Sequence, residues 1–313
     1  MIVHSDVAAA AVRVEDHVRR TPLLAVDPAP LAPAARMWLK LELTQHTGSF
    51  KARGAFNHVL AARDSGRLPD IGIVAASGGN AGLAFAYAAS RAGVPAEVFV
   101  PETAPAVKVA RLRALGAAVT QVGTRYAEAQ DAATKHAADT GALFCHAYDL
   151  PDVCAGQGTL GLEILDQTGG EADTVLLAVG GGGLMAGVAA ALDGRARVVG
   201  VEPERIPTLE RALHAGRPVD VDVSGVAADS LGASRLGEIA YTVASRTGVL
   251  PVLVTEEAIV EARRFVWDEY RLAVEHGTAA AVAALRSGAY RPSPGERVVV
   301  VLCGANTDPS DLI

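Results

Sequence analysis

Short continuous apolar runs alternate along the chain with longer stretches in which apolar positions recur at helical spacing. The runs at 37–43, 72–76, 96–100, 117–122, 174–179, 197–202, 252–255 and 298–303 read as strands. Between them, 50–63, 80–92, 106–115, 125–140, 156–167, 184–192 and 256–270 read as helices. Such alternation predicts an α/β architecture with mainly parallel strands. No strong repeat, low-complexity tract or long linker interrupts it. The stretch 72–144 holds four strand signals separated by three helices, close to a self-sufficient unit. The expected organisation is a discontinuous large domain, 1–65 and 150–313, with a small α/β domain inserted at 66–149. A cleft between two such lobes is a favoured ligand site.

Composition narrows the classes. The 313 residues are 50% hydrophobic and 20% charged, which suits a globular chain. A net charge of −7 argues against nucleic acid or an anionic membrane as partner. The first residues lack a basic start, so no secretion signal is expected. Residues 174–192 run uncharged for nearly the length of a membrane span. Four consecutive glycines in the middle would weaken any helix there. A buried strand, a glycine loop and a buried helix are expected instead. The three cysteines, Cys145, Cys154 and Cys303, have no metal-knuckle or redox-pair spacing, which points to a reducing cytoplasm. No histidine pair has zinc-protease spacing.

Lysine is scarce: Lys40, Lys51, Lys108 and Lys135 stand against 24 arginines. A lysine retained in such a chain points to a need for a titratable amine, which arginine cannot supply. Lys51 follows Thr47-Gly48-Ser49, a turn with Ser49 as the expected N-cap, so it falls in the first helical turn. The helix N-terminus is electropositive and disfavours an ammonium. A free lysine is neutral only about one time in 2,500 at pH 7, and burial raises that fraction. A neutral amine can form a Schiff base with an aldehyde. A solvated stem covering apolar surface is the other reading.

Three further stretches carry candidate chemistry. Gly180, Gly181, Gly182, Gly183 and Leu184 join a strand to a helix, where converging amides suit a phosphate. No Lys-Ser/Thr follows, which excludes a triphosphate P-loop. Gly181, Gly183 and Ala186, with Glu202 about twenty residues on, outline a dinucleotide fingerprint. Ser77, Gly78, Gly79, Asn80 and Ala81 form a second strand-to-helix loop, suited to a carboxylate, though also ordinary turn chemistry. Cys303 ends a buried strand, where it is either a ligand neighbour or a small hydrophobe.

Together these stretches resemble the fold-type II pyridoxal-phosphate enzymes, in their serine/threonine dehydratase (threonine ammonia-lyase-like) branch. The resemblance runs from Arg20-Thr-Pro-Leu23 to Cys303-Gly304. It implies a two-domain, tryptophan synthase β-like α/β fold with twisted, mainly parallel sheets flanked by helices. It implies that Lys51, in Ser49-Phe-Lys-Ala-Arg-Gly-Ala55, carries pyridoxal 5'-phosphate in a Schiff base, with Phe50 against the ring. Gly180 to Leu184 would hold the cofactor phosphate. Ser77 to Ala81 would hold the substrate carboxylate, with Asn80 also at the ring hydroxyl. Cys303 would lie beside the pyridine nitrogen. A carboxylate there would favour a long-lived carbanion; a neutral thiol favours prompt loss of a β-leaving group.

The implied reaction is β-elimination from a 3-hydroxy amino acid such as serine or threonine, giving a 2-oxo acid and ammonia, with Lys51 as general base. A homodimer acting on a small amino acid is the family-like expectation. Departures refine it. Gly78 stands where racemising relatives carry a second serine, which argues against racemisation and leaves room for 3-hydroxyaspartate or phenylserine. Ala81 replaces a usual histidine. Glu202 and Glu204 mark the place where relatives bind a divalent cation, but Ile206-Pro-Thr208 supplies no second acid, so no metal is expected. Glu275-His-Gly-Thr278 stands where relatives have Glu-Pro-Ser-Gly, which makes Glu275 a further candidate. The chain ends soon after its last strand, so no regulatory domain is expected. Lys51-Ala-Arg53 differs from the Lys-Asp-Arg of cysteine synthases. The alternatives outside the family are an NAD-dependent oxidoreductase and a non-catalytic binder.

Overall fold

The computed structural model describes residues 1–33 and 35–312. The first part of the chain forms α1 (His4–Val14), β1 (Leu23–Val26), β2 (Arg36–Lys40) and α2 (Lys51–Asp64). A compact run follows: β3 (Ile73–Ala76), α3 (Asn80–Ala92), β4 (Ala96–Val100), α4 (Ala106–Ala114), β5 (Ala118–Gln121), α5 (Tyr126–Thr140) and β6 (Leu143–Cys145). Next come α6 (Pro151–Gln167), β7 (Thr174–Ala178), α7 (Gly183–Leu192), β8 (Arg197–Pro203) and α8 (Thr208–Ala215). The rest is α9 (Ala228–Leu231), α10 (Glu238–Thr247), β9 (Leu250–Val254), α11 (Glu256–Tyr270), α12 (His276–Arg286) and β10 (Arg297–Val301).

Ten strands build two sheets. One has the order β1-β2-β10-β7-β8-β9, the other β5-β4-β3-β6. Every pairing is parallel except β1 with β2. The mixed α/β, mainly parallel architecture is therefore the one expected. The four-stranded sheet draws its strands from a single contiguous stretch. Its core also takes Ala52, Ala55, Phe56, Val59 and Leu60 from α2, which precedes that stretch.

The uncharged segment at 174–192 is β7, a glycine loop and α7, as the sequence predicts. Among the described residues no helix is long and apolar enough to cross a membrane. α7 is buried along its whole length, so it needs no polar face. The strand expected at 37–43 stops at Lys40, because Glu42–Thr44 and His46–Gly48 are 3-10 turns. The helix expected from 156 begins earlier, with Pro151 at its first turn, where a missing N–H costs nothing.

Candidate active site

The carboxyl ends of β3, β7 and β10 carry the loops of interest, where parallel sheets bind ligands. Lys51 is the first residue of α2. The expected Ser49 cap is not there: Ser49 is extended (φ −159°, ψ 160°) and bridges Gly304, and Phe50 precedes the helix. The reason is backbone pairing. Phe50 N donates to the Cys303 carbonyl (3.0 Å) and Ala305 N to the Gly48 carbonyl (2.9 Å). This pairing places the lysine against the end of β10. Lys51 Nζ donates to the Ala147 carbonyl (2.8 Å) and lies 5.0 Å from the Phe50 ring centroid. Burial pulls its ammonium down to about 8, with Cys154, Cys303 and Glu275 opposing by less.

Cys303 is buried two residues past β10. Thr278 Oγ1 lies 3.2 Å from its Sγ and donates to the Gly304 carbonyl (2.9 Å). Burial pushes the thiol up to about 12, and the bond from Thr278 opposes this by less. The group is a neutral thiol at physiological pH.

The glycine loop turns at Gly182, whose φ of +87° suits glycine. The amides of Gly180, Gly181, Gly182, Gly183 and Leu184 have no acceptor among the described residues. Orphan N–H groups opening a helix form an anion cradle. The other loop behaves alike: the amides of Gly78, Asn80 and Ala81 also lack an acceptor among the described residues. Ser77 Oγ is used locally, accepting from Gly79 N (3.2 Å). Asn80 is held from two sides. Its Nδ2 donates to Glu275 (2.8 and 3.1 Å), and its Oδ1 accepts from Asn306 Nδ2 (2.6 Å). Glu275 has a raised pKa, chiefly from burial, partly offset by the Asn80 amide and by Asn306 N, which donates to its Oε1 (3.1 Å). Glu275 thus belongs to the site, which the sequence alone left open.

A match to the family model described as pyridoxal-phosphate dependent enzyme spans residues 14–304. The chain belongs to that family. Members similar to it include a phenylserine dehydratase from Ralstonia pickettii, 37% identical over 307 residues that cover 97% of this chain and 93% of the relative. An L-threonine ammonia-lyase from Thermotoga maritima is 34% identical over 98% of this chain and 76% of its own. A solved T.th. threonine deaminase superposes with a TM-score of 0.89 at 37% identity, covering 98% of this chain and 99% of its own.

The pyridoxal-phosphate family needs a reactive amine, an anion cradle and a partner for the pyridine nitrogen. Lys51, the five orphan amides and Cys303 match those needs. The dinucleotide outline fails at Glu202, whose carboxylate accepts from Leu209 N (2.6 Å) and Glu210 N (3.0 Å) inside the fold. Two participants escaped the sequence reading. Ala147 receives the Lys51 amine, and the Tyr148 ring covers the glycine loop, where a Cβ on Gly181 would come within 2.4 Å of it. Neighbouring His146 accepts from Tyr148 N (3.3 Å) and Asp149 N (3.0 Å) through Nδ1, which leaves its proton on Nε2. The run His146-Ala147-Tyr148 shows no glycine or charge signal; only the fold brings it to the site.

Proposed function

We propose that this family member is a lyase that eliminates water from a 3-hydroxy amino acid, giving an enamine that tautomerises to an imine and takes water up again to release ammonia and a 2-oxo acid. Serine and threonine are the first candidates. The observation that carries the reading is a buried amine of lowered pKa near a neutral thiol, with two loops of orphan amides at the carboxyl ends of β3 and β7. Lys51 would hold pyridoxal phosphate, which would supply an electron sink that weakens the Cα–H bond. Gly180 to Leu184 hold the phosphate. Gly78, Asn80 and Ala81 donate to the substrate carboxylate, and Phe50 lines the ring. The Lys51 amine would take the Cα proton as general base. Cys303 would present an uncharged thiol beside the ring, which would favour loss of hydroxide from Cβ.

A bulkier substrate, such as phenylserine or 3-hydroxyaspartate, is favoured by one observation. A Cβ on Gly78 would meet nothing closer than Val100 Cγ1 at 3.5 Å, so the glycine leaves room beside the carboxylate loop. The three buried, unpaired cysteines support a reducing cytoplasm, and the family likeness supports a homodimer, which sedimentation would test.

Assaying serine, threonine, 3-hydroxyaspartate and phenylserine for 2-oxo acid release tests the reading. Release from at least one, abolished by Lys51→Ala, is expected. Turnover retained by Lys51→Ala, or cysteine formed from O-acetylserine and sulfide with no elimination, overturns it.

A further inference from the structure

Behind the glycine loop lies a second set of contacts that the reaction does not use. Glu202, in β8, and Thr208, the first residue of α8, are both fully buried. Thr208 Oγ1 lies 2.9 Å from Glu202 Oε1 and 2.6 Å from the carbonyl oxygen of Gly180. The next carbonyl is fastened too: Gly237 N donates to Gly181 O (3.0 Å).

A planar trans peptide points its C=O and its N–H in opposite directions. Tying the Gly180 oxygen back to α8 therefore aims the Gly181 N–H away from α8. Tying the Gly181 oxygen to Gly237 aims the Gly182 N–H in the same manner. Both amides belong to the orphan set. We infer that Thr208, held by Glu202, is a positioning residue that sets the Gly181 amide for the cofactor phosphate. This rests on assigning the glycine loop to that phosphate.

The hydroxyl has one proton and two acceptors. The shorter of its two contacts is the one to the Gly180 carbonyl (2.6 Å against 2.9 Å to Glu202).

The test compares pyridoxal phosphate with pyridoxal, which lacks the phosphate, as ligands of the cofactor-stripped protein. Thr208→Val and Thr208→Ala are expected to weaken pyridoxal phosphate about tenfold, the scale of one charge-assisted hydrogen bond, and to leave pyridoxal unchanged. Thr208→Ser is expected to bind both within about twofold of wild type, since the hydroxyl remains. Equal weakening of both ligands, or none, overturns the inference. So does failure of both variants to fold, which would make Thr208 a core residue and no more. Should wild type itself bind the two ligands equally, the phosphate assignment of the loop fails first.

Discussion

Moving an ammonium out of water costs free energy, and Lys51 recovers part of it through the Ala147 carbonyl. With its pKa at about 8, roughly one amine in ten is neutral at pH 7, against about one in 2,500 for a free lysine. The neutral form grows as pH rises through that value. The rate at which stripped protein takes up pyridoxal phosphate should therefore climb with a midpoint near 8 rather than 10.5. Stopped-flow absorbance across pH 6–10 would read it, and a midpoint above about 10 would place the amine in water. Two glycines of the carboxylate loop region make a contrasting pair. A Cβ on Gly78 has room, whereas one on Gly82 would lie 1.8 Å from the Ser77 carbonyl. Gly78→Ala should keep the melting temperature yet depress kcat/KM for phenylserine more than for serine. Gly82→Ala should destabilise by about 1–3 kcal/mol, the usual range for overpacking, in a urea titration. Lys51, Asn80 and Cys303 were legible because each sits in a local motif. Ala147 and Asn306 were not, because their partners Lys51 and Asn80 lie 96 and 226 residues away.

At the level of elements, α2 is the part that must not shift, because Lys51 opens it. Two residues on, Arg53 anchors it in a charge network in which only Glu163 is partly exposed. Arg53 donates to Glu42 (2.5 and 2.9 Å) and Glu163 (2.7 Å), and Lys40 donates to Glu163 (2.7 Å) and to the Thr21 carbonyl (2.8 Å). Two cations thus face two carboxylates, tying α2 to β2 and α6. Removing one partner strands a buried charge, which costs about 3–5 kcal/mol. Arg53→Ala should lose about that much in denaturant unfolding and load less cofactor. Arg53→Lys should recover little, since an ammonium cannot bridge two carboxylates as the guanidinium fork does. A loss below about 1 kcal/mol would mean the network contributes nothing net. None of this was readable as a network, although Lys40 and Arg53 stood out as residues. The same applies to α12, whose alanines from Ala279 to Ala284 are all buried. A helix buried on every side has no polar face, so periodicity cannot announce it. The amphipathic α11 has such a face and was predicted with its observed ends.

Across the molecule, the stretch 66–149 carries the carboxylate loop, while Lys51, the glycine loop and Cys303 come from the rest of the chain. We propose that this stretch behaves as a unit that closes on the substrate. Two side-chain contacts span the gap at its mouth. Lys108 on α4 pairs with Asp229 on α9, and Arg111 Nη2 donates to Asn306 Oδ1 (2.9 Å). All four residues line the same pocket as Gly78, Gly79, Asn80 and Glu275. Asp229 and Arg111 are exposed, so these contacts add little to stability: about 0–1 kcal/mol is typical of a surface pair. Their leverage is on closure, where a small bias changes the population that binds. Lys108→Ala should therefore leave the melting temperature within about 2 °C but raise KM several-fold with a smaller change in kcat. Salt separates this from simple loss of a substrate contact. At 1 M ionic strength the Debye length falls to about 3 Å, and the exposed pair is screened. Wild-type KM should rise toward the variant's value as salt is raised, while the variant's own KM stays flat. A variant that responds to salt as steeply as wild type would remove the Lys108–Asp229 pair from the closing step.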